Sequence, residues 1–168
     1  MSARNALVLV VVLWLGSVVC PVAAGTVGVG DPFPVLRLPD ADTGALMDVR
    51  PEPGSLLAVV YMQTSCAACR KELLAFKELR ARYPDLRVLA ISVDSGSPAR
   101  VKRYREHFGF DFPFLHDPEF KTPELFGFSF TPALVLVDRE GRIALLKGGY
   151  RPGEERGVEQ KIQELLGR

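Results

Sequence analysis

The chain has 168 residues, 48% of them hydrophobic, and a formal net charge of +1. This length accommodates one domain with its own core and excludes two of ordinary size. The balanced charge argues against nucleic acid, or an acidic surface, as a partner.

In chain order, Arg4 precedes an apolar run, ALVLVVVLWLGSVVCPVAA, that reaches from Ala6 to Ala24. A basic start, an apolar middle and a small-residue ending predict a secretory signal peptide over residues 1–24, cut after Ala24. The competing reading is an uncleaved membrane anchor over residues 6–24, which Gly16, Ser17 and Pro21 weaken. Lipid attachment at Cys20 ranks third, because Ser17-Val18-Val19 lacks the Leu and small residues such a site carries. Each version places the folded part outside the cytoplasm, in a periplasmic or equivalent compartment. Cleavage leaves Cys66 and Cys69 as the only cysteines, an even count that suits an oxidising compartment.

Residues 25–55, rich in Gly, Pro and Asp, read as an extended opening segment with a short edge strand at 34–38. LLAVVYM at 56–62 is a continuous apolar run, suited to a strand covered on both faces. A helix is predicted over 67–83, with Leu73, Phe76 and Leu79 at helical spacing and Pro84 as its stop. Residues 86–93 form the next buried strand. Ser97-Pro98 reads as an N-cap followed by Pro at the first helical position, and that helix runs to Phe108, where Gly109 ends it. A short strand at 112–115, a short helix at 119–126 containing Pro123, and an apolar strand at 133–137 follow. Arg139-Glu140-Gly141 turns the chain into 142–147 as an antiparallel hairpin. The last helix spans 153–166, with Val158, Ile162, Leu165 and Leu166 on one face. The alternation predicts an α/β domain over residues 25–168, with a mixed central sheet, helices on both sides, and a closing hairpin plus helix.

Cys66 and Cys69 lie where the first buried strand ends and a helix begins. The first helical turn offers unpaired N–H groups and the positive end of the dipole, and both favour a thiolate. The thiolate is the form that attacks a disulfide. Cys69, one turn on, is placed to displace a partner captured by Cys66. Ala67 and Ala68 add no bulk, while Arg70 and Lys71 add positive potential. Two other readings compete. An inert bridge would close too short a loop to stabilise much. Half a zinc site would have only His107 and His116 as further ligands, without finger spacing. No metal and no cofactor is therefore expected.

These residues together carry a resemblance. Cys66-Ala67-Ala68-Cys69 after the apolar strand, ISVD at 91–94, Phe130-Thr131-Pro132 before another strand, and Val137-Asp138-Arg139-Glu140-Gly141 resemble the thioredoxin superfamily. Within it they are most similar to the extracytoplasmic TlpA/ResA-like thiol–disulfide oxidoreductases, close to the AhpC/TSA peroxiredoxin branch. The similarity runs from about residue 28 to the C-terminus. It includes an extra helix–strand unit near 98–115. It implies Cys66 as nucleophile, Cys69 as resolving thiol and Cys66–Cys69 as the redox disulfide. It implies Thr131-Pro132 as a cis-proline pair that receives extended substrate chain, although Thr-Pro alone would be an ordinary trans turn. Glu72 matches the acidic residue of ResA-like proteins, for proton transfer; a first-turn Glu that complements the helix dipole is the other reading. The implied activity is reduction of protein disulfides, apocytochrome c haem-site cysteines among them, with a membrane thiol reductase as electron donor.

The chain also departs from the pattern. Ser65 and Met62 stand where the family carries tryptophan, and the dipeptide between the cysteines lacks proline. A peroxidase would need Thr or Ser three residues before Cys66, where this chain has Gln63, so a thiol peroxidase is the runner-up. A non-catalytic peptide-binding module on the same fold is the third reading. His116-Asp117 is expected to have a surface or loop role, the basic run at 100–105 to be a solvated helix face, and the Phe residues from Phe108 to Phe130 to be core.

Overall fold

Residues 26–167 are described by a computed structural model of the chain. The expected leader and Cys20 lie outside them. The elements are β1 (Leu36–Pro39), β2 (Leu46–Val49), β3 (Leu56–Met62), α1 (Ala67–Arg82), β4 (Leu86–Ser92) and α2 (Pro98–Phe108). They continue with β5 (Phe114–His116), α3 (Lys121–Glu124), β6 (Ala133–Val137), β7 (Ile143–Gly148) and α4 (Glu155–Leu166). β1 and β2 make a small antiparallel pair. The main sheet has the order β5-β4-β3-β6-β7. β3, β4 and β5 run parallel, while β6 and β7 are antiparallel to their neighbours.

Every residue of β3 is buried, because both faces of the sheet are covered. Strand side chains alternate between faces, and the two cores follow that alternation. Leu56, Ala58, Val60 and Met62 join Leu73, Phe76 and Leu79 of α1, Val101 of α2, and Val158, Ile162 and Leu166 of α4. Leu57, Val59 and Tyr61 face the other way, onto Phe33, Leu36, Val49 and Phe126. The three long helices therefore cover one face. The β1–β2 hairpin and the short α3 turn cover the other.

Most boundaries follow the expected punctuation. The backbone N–H of Tyr83 closes α1 on the Leu79 carbonyl, just before Pro84. Ser97 Oγ accepts from the Ala99 N–H at 3.3 Å, Pro98 is the first residue of α2, and Gly109 ends it with φ +61°, a conformation few other residues adopt cheaply. Differences arise where burial is one-sided. β2 was not expected: Leu46, Met47 and Asp48 are exposed and only Val49 reaches the core, so the segment carries no apolar alternation. β5 sits two residues later than its expected start, α3 is a single turn, and α4 begins at Glu155 rather than 153. The Phe series is core at Phe110, Phe112, Phe114 and Phe126, but Phe130 is 55% exposed, because it belongs to the loop before β6 and not to a packed strand.

Phe76 is 2% exposed and joins α1 to the strands beneath it. Phe76→Ala is expected to cost about 3–5 kcal/mol. Chemical denaturation should show a lower midpoint at unchanged slope.

Candidate active site

β3 and β4 run side by side to their C-terminal ends, with Met62 opposite Ser92. Beyond Met62 the chain turns sharply. The N–H of Cys66 donates to the Gln63 carbonyl at 3.1 Å, and Cys66 becomes the N-cap of α1. Its Sγ accepts from the Cys69 backbone N–H at 3.0 Å, the place a Ser or Asp oxygen takes at an ordinary cap. Cys66 is half-buried and Cys69 fully buried. The two form a disulfide, with their Cα atoms 5.2 Å apart. Cys66 is thus the partly exposed member of the pair, and Cys69 is sealed behind it.

The turn is held from the side. Thr64 donates to the Asp94 carboxylate through its N–H (2.8 Å) and its Oγ1 (2.9 Å), and Ser92 Oγ donates to the same group at 2.8 Å. His116 Nε2 lies 2.8 Å from the Asp94 carbonyl. Asp117 accepts from the N–H and Oγ1 of Thr122, both at 2.7 Å. His116 and Asp117 are therefore not surface residues: they are 5% and 3% exposed. Pairing of His116 with Ser92 carries them inside the end of the sheet. ISVD at 91–94 thus ends in a clamp on the loop that leads to Cys66.

Thr131-Pro132 is cis. Tyr61 pairs with Ala133, so Pro132 comes up beside the end of β3, next to the Cys66 loop. Thr131 Oγ1 donates to Gln63 Oε1 at 3.1 Å, and the Gly149 N–H donates to the Pro132 carbonyl at 2.7 Å.

Glu72 lies on the buried side of α1 with Cys69 and is 3% exposed. It sits in the second turn, beyond the orphan N–H groups, so the dipole reading does not apply; the first turn holds no acidic residue. Its partner is Lys147 of β7, whose Nζ donates to Glu72 Oε1 at 3.0 Å and to the Gly149 carbonyl at 2.5 Å. Glu154 is 3.5 Å from the same ammonium. Glu72 Oε2 is buried without a hydrogen-bond partner. Burial pushes the Glu72 carboxyl above its ordinary value. The Lys147 charge and hydrogen bond pull it down, Glu154 pushes it up, and burial prevails.

Cys66, Cys69, Thr131 and Pro132 are brought to one end of the sheet, with Glu72 behind Cys69. Lys147 and the Gln63–Thr131 contact were missed. Lys147 had a signal: in a strand of period two it shares a face with Leu145, which packs on the helix-side core. Among the described residues, no group of three His, Cys, Asp or Glu could hold a metal ion, and no helix is long and apolar enough to cross a membrane.

The AhpC/TSA family model matches residues 29–146. Thiol-disulfide oxidoreductase ResA from Halalkalibacterium halodurans is 23% identical over 124 residues, covering 73% of this chain and 67% of that protein. ResA from Geobacillus thermodenitrificans is 24% identical over 106 residues, covering 62% and 60%. Among solved structures, a Chlorobium tepidum protein assigned as thiol:disulfide interchange protein DsbE superimposes with a TM-score of 0.76 at 26% identity, covering 84% of this chain and 99% of that one.

A carboxyl raised on folding favours the folded state in its protonated form. Its stabilising contribution is full below the ordinary carboxylate range and is lost as pH rises through the raised value. In the oxidised protein, where neither thiol titrates, the stability of wild type relative to Glu72→Gln should therefore fall as pH rises through this window, then level off. Denaturant titrations across pH check the sign; a difference that grows with pH would contradict it.

Proposed function

The chain belongs to the AhpC/TSA family, and from that premise we propose that it is a thiol–disulfide oxidoreductase of the ResA type that reduces protein disulfides outside the cytoplasm. One observation carries the reading: the sulfur of a half-buried Cys66 caps a helix and accepts the Cys69 N–H, with Cys69 fully buried one turn behind.

In the reduced state, the Cys66 thiolate keeps that N–H and the positive end of α1 as its stabilisers. It attacks one sulfur of a substrate disulfide, forming a mixed disulfide and expelling the other as a thiolate, which takes up a proton. Cys69 then loses its proton, with the Glu72 carboxylate as acceptor, and attacks the Cys66 sulfur. The second substrate thiolate leaves. Two electrons have passed from the cysteine pair to the substrate, and the Cys66–Cys69 disulfide remains. A membrane thiol reductase resets the pair. The Thr131 backbone at the cis-proline offers an edge for extended substrate chain. The basic-then-apolar pattern over residues 1–24 supports export. Apocytochrome c haem-site cysteines are the first substrate to try.

Cys66→Ser is expected to lose all exchange, while Cys69→Ser traps substrate as a mixed disulfide on Cys66; mass spectrometry of the trapped species checks both. A Cys66–Cys69 potential near about −270 mV agrees with the reducing direction, whereas one near about −120 mV reverses it. Rapid loss of the Cys66 thiol to hydrogen peroxide, undiminished in Cys69→Ala, would assign a peroxidase instead.

A further inference from the structure

The side of the thiols away from β7 holds a second feature. An open groove of about 730 Å³ runs between the Cys66 loop and α2, lined by Thr64 and by Arg100, Arg103, Tyr104, Glu106, His107 and Phe108 of α2. From α1, the Arg70 guanidinium lies 5.5 Å from the centre of the Phe108 ring, so a third arginine stands against a residue that lines the groove. Arg70, Arg100 and Arg103 are exposed, as are Lys71 and Lys102 on the same two helices. Among the described residues none of these five makes an ion pair, whereas Arg105 of α2 is held by Asp42. Glu106 is the one acidic side chain in the lining. A formal net charge of +1 for the chain thus conceals a local excess of cations beside the thiols.

Thr64 ties this groove to the chemistry. It lies two residues before Cys66, within about 7 Å along the chain. A substrate strand with its half-cystine on Cys66 would pass over the groove a few residues away. Exposed cations without an acidic partner gain from an approaching anion without first breaking an ion pair, and such a field raises the encounter rate of anionic ligands.

We propose that this α1–α2 groove is a docking surface for acidic segments flanking the disulfide of the protein substrate. The proposal rests on the exchange reading given above and adds the chemistry of the preferred substrate. Arg70, Arg100 and Arg103 steer the acidic segment, and the Tyr104–Phe108 floor supports its stem.

The test uses two matched peptides with an internal disulfide, one flanked by Asp and one by Asn, together with cysteine-free versions of each. The reduced protein should reduce the Asp peptide roughly tenfold faster at low salt, the advantage shrinking to about twofold or less at about 0.5 M. Arg100→Glu with Arg103→Glu should remove the advantage. Arg37→Glu with Arg156→Glu, the same change of net charge on β1 and α4, should keep it. The cysteine-free Asp peptide should shift the amide resonances of Thr64, Arg100 and Arg103 in the oxidised protein, and the Asn peptide should not. Equal reduction rates with no such shifts overturn the docking surface and leave the exchange reading standing. Shifts without reduction of either peptide uphold the surface and overturn the exchange reading.

Discussion

The whole site depends on one hydrogen bond, from the Cys69 N–H to the Cys66 sulfur. A helix that starts at the end of a buried parallel strand leaves its first N–H groups pointing at whatever side chain caps it. Here that side chain is a cysteine. A sulfur in that position accepts more strongly as a thiolate than as a thiol, and this is the basis of the role proposed for Cys66. The same geometry places Cys69 on the inward side of the first turn. Access for one sulfur and burial for the other are consequences of a single cap. The cap holds only if the preceding loop holds, and that is the work of Asp94. It gathers donors from Thr64 and Ser92, so the loop is pinned to β4 and not left to its own turn propensity.

Behind the cysteines, α1 and β7 are joined by charge. Burying a carboxylate is costly, and a partner ammonium offsets the cost only in part. That partial offset is visible in the Glu72 carboxyl, which stays above its ordinary value with Lys147 at 3.0 Å. A carboxyl shifted upward lies closer to the thiol range, so a proton passed between it and a cysteine climbs less steeply. Lys147 also donates to the Gly149 carbonyl, and Gly149 donates to the Pro132 carbonyl. A continuous polar path therefore runs from the carboxylate, through the lysine, to the cis-proline loop. The group proposed to handle protons and the loop proposed to hold substrate share one anchor.

What could be read from the chain follows from how completely each element is buried. β3 and β6 are continuous apolar runs, covered on both faces, and their limits match the expected ones. α2 carries its cap, its Pro and its terminal Gly in the open. β2 is invisible because exposed pairing on a small sheet asks nothing of side-chain polarity. At the site, the Cys66–Cys69 pair was legible as a local motif and the cis Thr131-Pro132 bond only through the resemblance, since Thr-Pro alone reads as a trans turn. Lys147, Asp94 as a clamp, and Gln63 on Thr131 were not, because each acts across a separation in sequence that only the fold closes. His116 and Asp117 erred for the same reason: a polar pair after a short strand looks exposed until that strand is seen to enter the sheet.

The rim of the site shows how a departure in sequence is absorbed in space. Met62 and Ser65 stand at the two positions where the resemblance leads one to expect tryptophan. Met62 is fully buried and belongs to the helix-side core, whereas Ser65 is exposed and adds no apolar surface. An aromatic surface is present all the same, at Phe130, immediately before Thr131-Pro132. Its ring lies over Gly148, where a Cβ would stand 3.0 Å from the Phe130 Cζ, so a side chain there would push the ring aside by a few tenths of an ångström. The ring also lines a groove of about 790 Å³ with Leu145, Tyr150 and Val158. The cis-proline loop is thus flanked toward β7 and α4 by a groove that mixes Phe130, Leu145, Tyr150 and Val158 with Lys147, Arg151, Glu154 and Lys161, while the Cys66 loop borders the arginine-lined groove along α2. A strand crossing both loops would meet two different surfaces.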